Sequence, residues 1–352
     1  MGGRPARALA AASRSAGSLG RDAQATPGLV AGILSSTMID IDGSHGEGGG
    51  QILRTSLGLS MVTGRPFRIR NIRANREKPG LQRQHLTAVT AAATICSADV
   101  IGAELRSREL TFTPGAVRPG PYTFDIGTAG STSLVLQAVL PPLLVGVGPS
   151  SVTLIGGTVN PFAPPFDFLD KAFLPLVNRM GPRVRGSHER YGFAPAGRGR
   201  VGFEITPAPG GRLARLDLNE RGAIVRRACI AHVAALPEPI AERELAAARR
   251  ILADWPADAF HVARIPADQG PGNYVSVEVQ AEHVTEVFTA IGQRGVRAEA
   301  VADDAATQAR RYLAADVPVG DCLADQLLIP LAIAGAGSFT TGPLTRHART
   351  ST

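Results

Sequence analysis

Apolar and polar positions change period in a regular way along this chain. Ile39 and Ile41 alternate with Asp40 and Asp42, the two-residue period of a short strand. Past a glycine-rich run, Leu53, Leu57 and Met61 recur at helical spacing, and Ile52 and Leu59 widen the apolar face. This predicts a helix over Gln51–Val62, closed by Gly64, and then a strand at Phe67–Ile72. The same succession recurs twice. Gly127–Ser131 precedes an apolar helix through Leu134–Leu144 and a strand at Ser151–Ile155; Val319-Gly320-Asp321 precedes a helix through Leu323–Ala334 and a strand at Ser338–Thr341. Each unit reads as a small polar turn, a buried helix and an edge-like strand. Repeated βα units that stack their helices on sheets bury all three apolar faces. The expected fold class is α/β (α+β), with three such units forming one large domain.

Between the second and third units the texture changes. Pro239 starts a helix carrying Leu245, Ile251, Leu252 and Trp255, and Tyr274–Gln280 alternates with Val275, Val277 and Val279 on one side. Val284, Phe288 and Ile291 predict another helix, capped by Gly292, and Val296–Val301 a further strand. The expected organisation is a large domain over residues 38–217 and 315–352, interrupted by a smaller inserted α/β domain over residues 218–314. Residues 1–37 are rich in Ala, Gly, Ser and Arg, lack periodicity, and are expected to stand outside the fold. They read as a disordered extension similar in composition to a transit peptide, or as a start assigned too early, since Met38 directly precedes the first strand.

With 352 residues, 44% apolar, the chain is long enough for two domains. Its mean hydropathy of +0.05 is that of a soluble globular protein. The apolar stretch Leu134–Val147 is interrupted by Gln137 and Pro141-Pro142, so no membrane span is expected. Cys96, Cys229 and Cys322 form neither a CxxC pair nor an even set, which points to a reducing, cytoplasmic compartment and no structural zinc. None of the histidines shows HxH or HExxH spacing. The formal net charge of +7 permits a polyanionic partner without demanding one. Arginine dominates the bases, which suits phosphate contact and a GC-rich genome equally.

Candidate chemistry begins in the run Asp42–Arg54 (Asp-Gly-Ser-His-Gly-Glu-Gly-Gly-Gly-Gln-Ile-Leu-Arg). Glycines let backbone N–H groups approach an anion, and the following helix adds partial positive charge. The run is not a Walker A loop, because Gln51 and Ile52 stand where Lys and Ser or Thr belong. Nor is it a dinucleotide fingerprint, because Gln51 replaces the third glycine. Glu47 repels phosphate unless a metal or an arginine lies between them. The loop Arg73–Gly80 concentrates Arg73, Arg76 and Lys78, a charge run that calls for an anion. Arg83 and His85 open the next helix within reach of it, and guanidinium groups suit terminal phosphates. Arg68 and Arg70 read as a solvated strand face. His347, five residues from the end, reads on its own as a frayed terminal histidine.

Asp42–Arg54 together with Arg73–His85 closely resembles the RNA 3′-terminal phosphate cyclase family. The resemblance continues, in order, through Gly127–Gln137, Gly156–Pro165, Asp268–Asn273, Leu323-Ala324-Asp325-Gln326 and Gly335–Thr340, covering nearly everything from Met38 onward. It implies ATP-dependent conversion of an RNA 3′-phosphate into a 2′,3′-cyclic phosphodiester, releasing AMP and pyrophosphate. By motif match His347 is the nucleophile that attacks the α-phosphate of ATP. Gln137 and the segment Cys322-Leu323-Ala324-Asp325-Gln326 line the adenylate pocket. Glu47 places Mg²⁺ (or Mn²⁺) or ATP, and Arg54, Arg73, Arg76, Arg83 and His85 hold the RNA end. The implied partner is RNA with a 3′-terminal phosphate; the oligomeric state stays open, a homodimer being one option.

Two departures accompany the resemblance. Arg198 interrupts a glycine triplet in Tyr191–Gly199, and family members continue for another strand and helix beyond the histidine, whereas this chain stops at Thr352. The main alternative is a non-catalytic cyclase-like protein that binds ribosomal RNA or assembly factors; the presence of His347 favours the enzyme. An enolpyruvyl transferase, of related repeated fold, is disfavoured by Asp325-Gln326 and by the Arg73–His85 motif.

Overall fold

The computed structural model describes residues 6–9 and 37–351. Of the stretch expected to stand outside the fold, Ala6–Leu9 forms a strand, β1; residues 1–5 and 10–36 lie outside the described residues. The first repeat runs β2 (Ile39–Asp42), α1 (Gln51–Thr63), β3 (Phe67–Arg70), α2 (Arg83–Cys96), β4 (Asp99–Ile101) and β5 (Leu110–Thr113). The helix α1 forms where its spacing predicts: Leu53, Leu57 and Met61 are buried, and Gly64 takes the left-handed closing turn at φ 70. The sheet has the order β2-β3-β5-β4, with β2 parallel to β3 and β5 antiparallel to both neighbours.

The second repeat has the same plan. It comprises β6 (Pro121–Asp125), α3 (Thr132–Leu144), β7 (Ser150–Gly156), short helices α4 (Phe166–Phe168) and α5 (Leu174–Arg179) joined by a π turn, β8 (Arg183–Arg190) and β9 (Gly199–Thr206). Its sheet order, β6-β7-β9-β8, reproduces that of the first. The third repeat opens with β10 (Asp217–Leu218) and is interrupted by β11 (Ile224–Ala234), α6 (Pro239–Ile251), β12 (Phe260–Ile265), β13 (Gly272–Ala281), β14 (Thr285–Ile291) and α7 (Ala298–Ala315). It resumes with α8 (Asp321–Ala334), β15 (Ser338–Thr341) and α9 (Arg346–Ser351). The parallel pair here is β10 with β15, and β1 pairs antiparallel on the other side of β15. That is the position β5 and β9 hold in the first two sheets. Among the described residues, no helix is long and apolar enough to cross a membrane.

Three local expectations are corrected. The strands β3, β7 and β15 are not edges, since each is hydrogen-bonded on both sides. Alternation along a strand reports which faces are wet, not whether neighbours are present. Phe288 and Ile291 belong to a hairpin strand, β14, with Val284 in the turn just before it, and none of them to a helix. Val287 packs into the core of the repeats and Ala290 into that of the inserted segment. A strand covered on both faces loses its two-residue period and imitates a helix. Val296–Val301 is not a strand; from Ala298 the chain is helical, with Ala298, Val301, Ala302, Ala305, Ala306, Ala309 and Tyr312 on the buried face. An alanine-rich run of that length has strong helix propensity, which outweighs the alternation of two valines. Trp255 lies beyond the end of α6, yet packs in the same core.

The inserted segment forms the sheet β12-β11-β13-β14, with α6 and α7 packed on its own core. Polar contacts fix it against the repeats. Tyr274 Oη donates to Asp167 Oδ2 at 2.7 Å, Lys171 pairs with Glu278, and the Gly320 N–H at the head of α8 donates to Glu286 Oε1 at 2.6 Å. Glu286 is fully buried, and burial pushes its carboxyl up to about 8 despite that hydrogen bond. The folded pKa lies above the unfolded one, so this contribution to stability is complete at acid pH and is lost as pH rises through about 8. Glu244, pushed up to about 7 by burial, acts in the same direction. Urea unfolding at a series of pH values is expected to show stability falling from weakly acid to weakly alkaline pH. Glu286→Gln should flatten that slope, and an unchanged slope contradicts the assignment.

Candidate active site

Helices α1, α3 and α8, one from each repeat, meet at a polar seam. The seam depends on close approach of α1 to α3: at Gly58 an added Cβ would sit 3.3 Å from both Ala138 O and Pro141 Cγ. This brings Arg54 Nε to Gln137 Oε1 at 3.0 Å, while Gln137 Nε2 donates to Gln326 Oε1 at 2.7 Å. Gln137, the polar residue inside an apolar helix, therefore uses both ends of its amide to join the first repeat to the third. Arg54 is buried, and burial pulls its guanidinium down to about 10, with the Glu47 charge opposing the shift. It stays cationic at neutral pH.

Beside the seam the glycine-rich turn is packed by the arginine loop. Gly48 adopts φ +60 with the Asn75 side chain against it, and a side chain at Gly50 would collide with His85 and Arg54. His85 is buried next to Arg54 and Arg73; burial and those two charges drive its pKa down to about 3. The neutral ring accepts from Gln82 N–H on Nδ1 at 3.4 Å, which leaves the proton on Nε2, facing Gly50. His85 thus serves as a neutral donor. Arg73 has φ +54 and turns its guanidinium onto the carbonyls of Lys78 and Gly80, shaping its own loop. Arg76 pairs with Glu47, whose other oxygen meets Nδ1 of His347.

His347 is held in place from three sides. Thr345 Oγ1 caps the terminal helix α9 by accepting from Ala348 N–H at 2.9 Å and donates to Asp325 Oδ1 at 2.7 Å. Gln51 Nε2, at the head of α1, donates to the His347 carbonyl at 3.1 Å. Burial raises the Asp325 carboxyl, with Thr345 and His347 acting against the rise.

A cavity of about 960 Å³ opens along this seam. It is lined by Glu47, Arg54, Arg73, Arg76, His85, Gln137, Cys322, Asp325, Gln326 and His347. Three residues assigned to the site from sequence are not among its walls. Leu323 and Ala324 are buried in the core, because the helical period of α8 turns Cys322, Asp325, Gln326 and Ile329 to one side and Leu323, Ala324, Leu327 and Leu331 to the other. Arg83 is exposed at the start of α2 and does not line the cavity. Gln51, Gln84, Asn160 and Thr345 also line the cavity, although no sequence signal assigns them to the site. Gln84 lay inside a recognised motif but carries no charge. The far wall comes from the inserted segment, through Phe288, Gln293, Asp304 and Gln308. No local pattern reports those four, because only closure of the chain brings them there.

A mixed α/β protein with buried cationic and neutral donors on one side of a cavity and a histidine–carboxylate pair at its edge offers the chemistry that suits a phosphorylated ligand. A model of the family described as RNA 3′-terminal phosphate cyclase matches residues 45–352. The chain is 53% identical over 314 residues to the RNA 3′-terminal phosphate cyclase of Koribacter versatilis (strain Ellin345), covering 89% of this chain and 88% of that protein. It is 51% identical to the one of Ectopseudomonas mendocina (strain ymp), covering 89% of this chain and 90% of that protein. The chain belongs to the RNA 3′-terminal phosphate cyclase family, whose members are enzymes of the ligase type.

Two outcomes follow from the geometry. Gln137→Leu strands Arg54 and Gln326 in a buried seam and should cost about 1–3 kcal/mol of stability, read by chemical denaturation; a neutral effect contradicts the seam. The ring resonances of His85 should stay at their neutral positions from pH 8 down to pH 5, since its pKa lies near about 3; a titration near neutrality contradicts its burial beside two arginines.

Proposed function

We propose that this enzyme uses ATP to cyclise an RNA 3′-phosphate through a covalent adenylate on His347. The observation that carries the reading is the contact between Glu47 and Nδ1 of His347. A carboxylate on Nδ1 fixes the proton there and leaves Nε2 with its lone pair free as a nucleophile. In the first step Nε2 attacks the α-phosphorus of ATP, forming a P–N bond as pyrophosphate leaves. In the second, an oxygen of the RNA 3′-phosphate displaces the imidazole and takes over AMP. The 2′-hydroxyl, already at close range on the same ribose, then attacks that phosphate, releases AMP and loses its proton.

Arg54, Arg76 and the Nε2–H of His85 are the groups we assign to the phosphates, with Gln137, Cys322, Asp325 and Gln326 on the side of the adenylate. Arg73 contributes mainly by shaping the loop that carries Arg76. The residues present also suit a divalent cation. Among the described residues no three His, Cys, Asp or Glu side chains converge as a cage, but Mg²⁺ at phosphates needs only one or two carboxylates plus phosphate oxygens and water. Glu47 is the acid of the glycine-rich turn and lies at the cavity wall between Arg76 and His347, so it would hold Mg²⁺ or Mn²⁺. The ion would supply charge neutralisation on the phosphates.

Residues 38–217 and 315–352 are the catalytic body in this reading and residues 218–314 an insertion, which the separate core of the inserted segment supports. Free cysteines throughout support a reducing, cytoplasmic setting and a role in RNA processing.

Incubation with α-labelled ATP and Mg²⁺ should label the protein through an acid-labile, base-stable bond. His347→Ala should abolish labelling, and Glu47→Gln should slow it roughly 10- to 100-fold, the usual weight of a residue that orients a reacting group. Label retained by His347→Ala overturns the proposal. RNA affinity should fall steeply with salt, with a logarithmic slope of about −0.7 for each phosphate contacted; an affinity indifferent to salt removes the arginines as the clamp.

A further inference from the structure

Phe162 is the one exposed side chain among all the chain's Phe, Tyr and Trp residues, at 103% relative exposure. It lies on the loop between β7 and α4, and it lines the same cavity as Arg76 and His347. Its backbone takes φ +62, a left-handed conformation that costs a side-chain-bearing residue about 1–2 kcal/mol. The segment Pro161-Phe162-Ala163-Pro164-Pro165 has little freedom to relieve that conformation, since each proline fixes its own φ. Asn160 Nδ2 anchors the start of the loop to Ala129 O at 2.6 Å. The chain therefore holds an aromatic ring out in water at the rim of a cavity lined by Arg54, Arg73 and Arg76, where packing gains nothing from it.

We infer that Phe162 is a stacking platform for a base at the 3′ end of the RNA, an inference that rests on the cyclase reading above. The cavity interior offers walls at Leu140, Phe168, Phe288, Ile329 and Pro330 that can enclose one base, and ATP brings only one. A strand whose terminal phosphate reaches His347 still carries its own bases out past the rim. A flat, solvent-facing ring there binds such a base through its π face. Stacking of this kind ignores base identity, since every base has a π face, so the platform adds affinity for single-stranded 3′ ends without sequence preference.

The two half-reactions separate the possibilities. With Phe162→Ala, the RNA concentration needed to discharge the adenylylated enzyme should rise roughly 5- to 100-fold, the weight of one base–aromatic stack. Self-adenylylation without RNA should keep its wild-type rate. Phe162→Trp should retain RNA affinity, whereas Phe162→Leu, apolar but without a ring, should behave like the alanine variant. An unchanged RNA dependence, a leucine variant equal to wild type, or an equal loss in self-adenylylation each overturns the inference, the last by assigning the ring to adenine. Should the wild type fail to adenylylate, the cyclase reading falls. The same variants titrated with a short fluorescent RNA 3′-phosphate would then still decide whether Phe162 binds a base.

Discussion

A guanidinium buried between three helices has to be paired, and in this protein the pairing of Arg54 organises everything around it. Gln137 takes its Nε–H and passes the connection on to Gln326, so one hydrogen-bonded chain crosses from the first repeat through the second to the third. A lone buried polar group of this size costs several times what a satisfied one contributes. The three helices can therefore shift relative to one another only by breaking the chain. The close approach at Gly58 is what permits it, and the cavity is the space the same three helices leave open on their polar side.

Around that seam, burial and neighbouring charge set the states of Arg54 and His85. Arg54 keeps its proton although burial works against it, and His85 gives up its own because burial and two arginines leave no room for a third cation. Glu47 sits between Arg76 and His347, so the acid of the glycine-rich turn is paired within the site. Its second oxygen lies against Nδ1 of the histidine, whose ring stands at the edge of the cavity.

Much of this was legible in the chain before folding, and the parts that were not share a cause. The three repeats, their helices and the glycine-rich turn are visible because each buries a face with its own period. Gln137 stood out as a polar residue on an apolar helix. Sequence motifs, being contiguous, suggested that Cys322 through Gln326 face the ligand together, but a helix turns Leu323 and Ala324 into the core. Strand β14 imitates a helix because both its faces are covered, and the start of α7 imitates a strand because its first turn alternates by chance. The wall formed by Phe288, Gln293, Asp304 and Gln308 had no signal at all, since nothing local marks a surface that becomes a wall only when the insertion closes on the repeats. His347 shows the limit most clearly. Its neighbour Thr345 caps the helix and Thr350 bonds back to the Arg346 carbonyl, both local, but the contacts that place His347 come from Glu47 and Gln51, some three hundred residues earlier.

The central claim is that one cavity, assembled from all three repeats, delivers the α-phosphate of ATP to His347. A crystal structure of the protein after reaction with ATP tests it most directly. The account predicts AMP joined to Nε2 of His347, its phosphate facing the Arg54–Arg76 side and its base within the cavity beside Gln326. AMP bonded to any other side chain, or nucleotide lodged outside this cavity with the Arg54–Gln137–Gln326 seam undisturbed and empty, would contradict it.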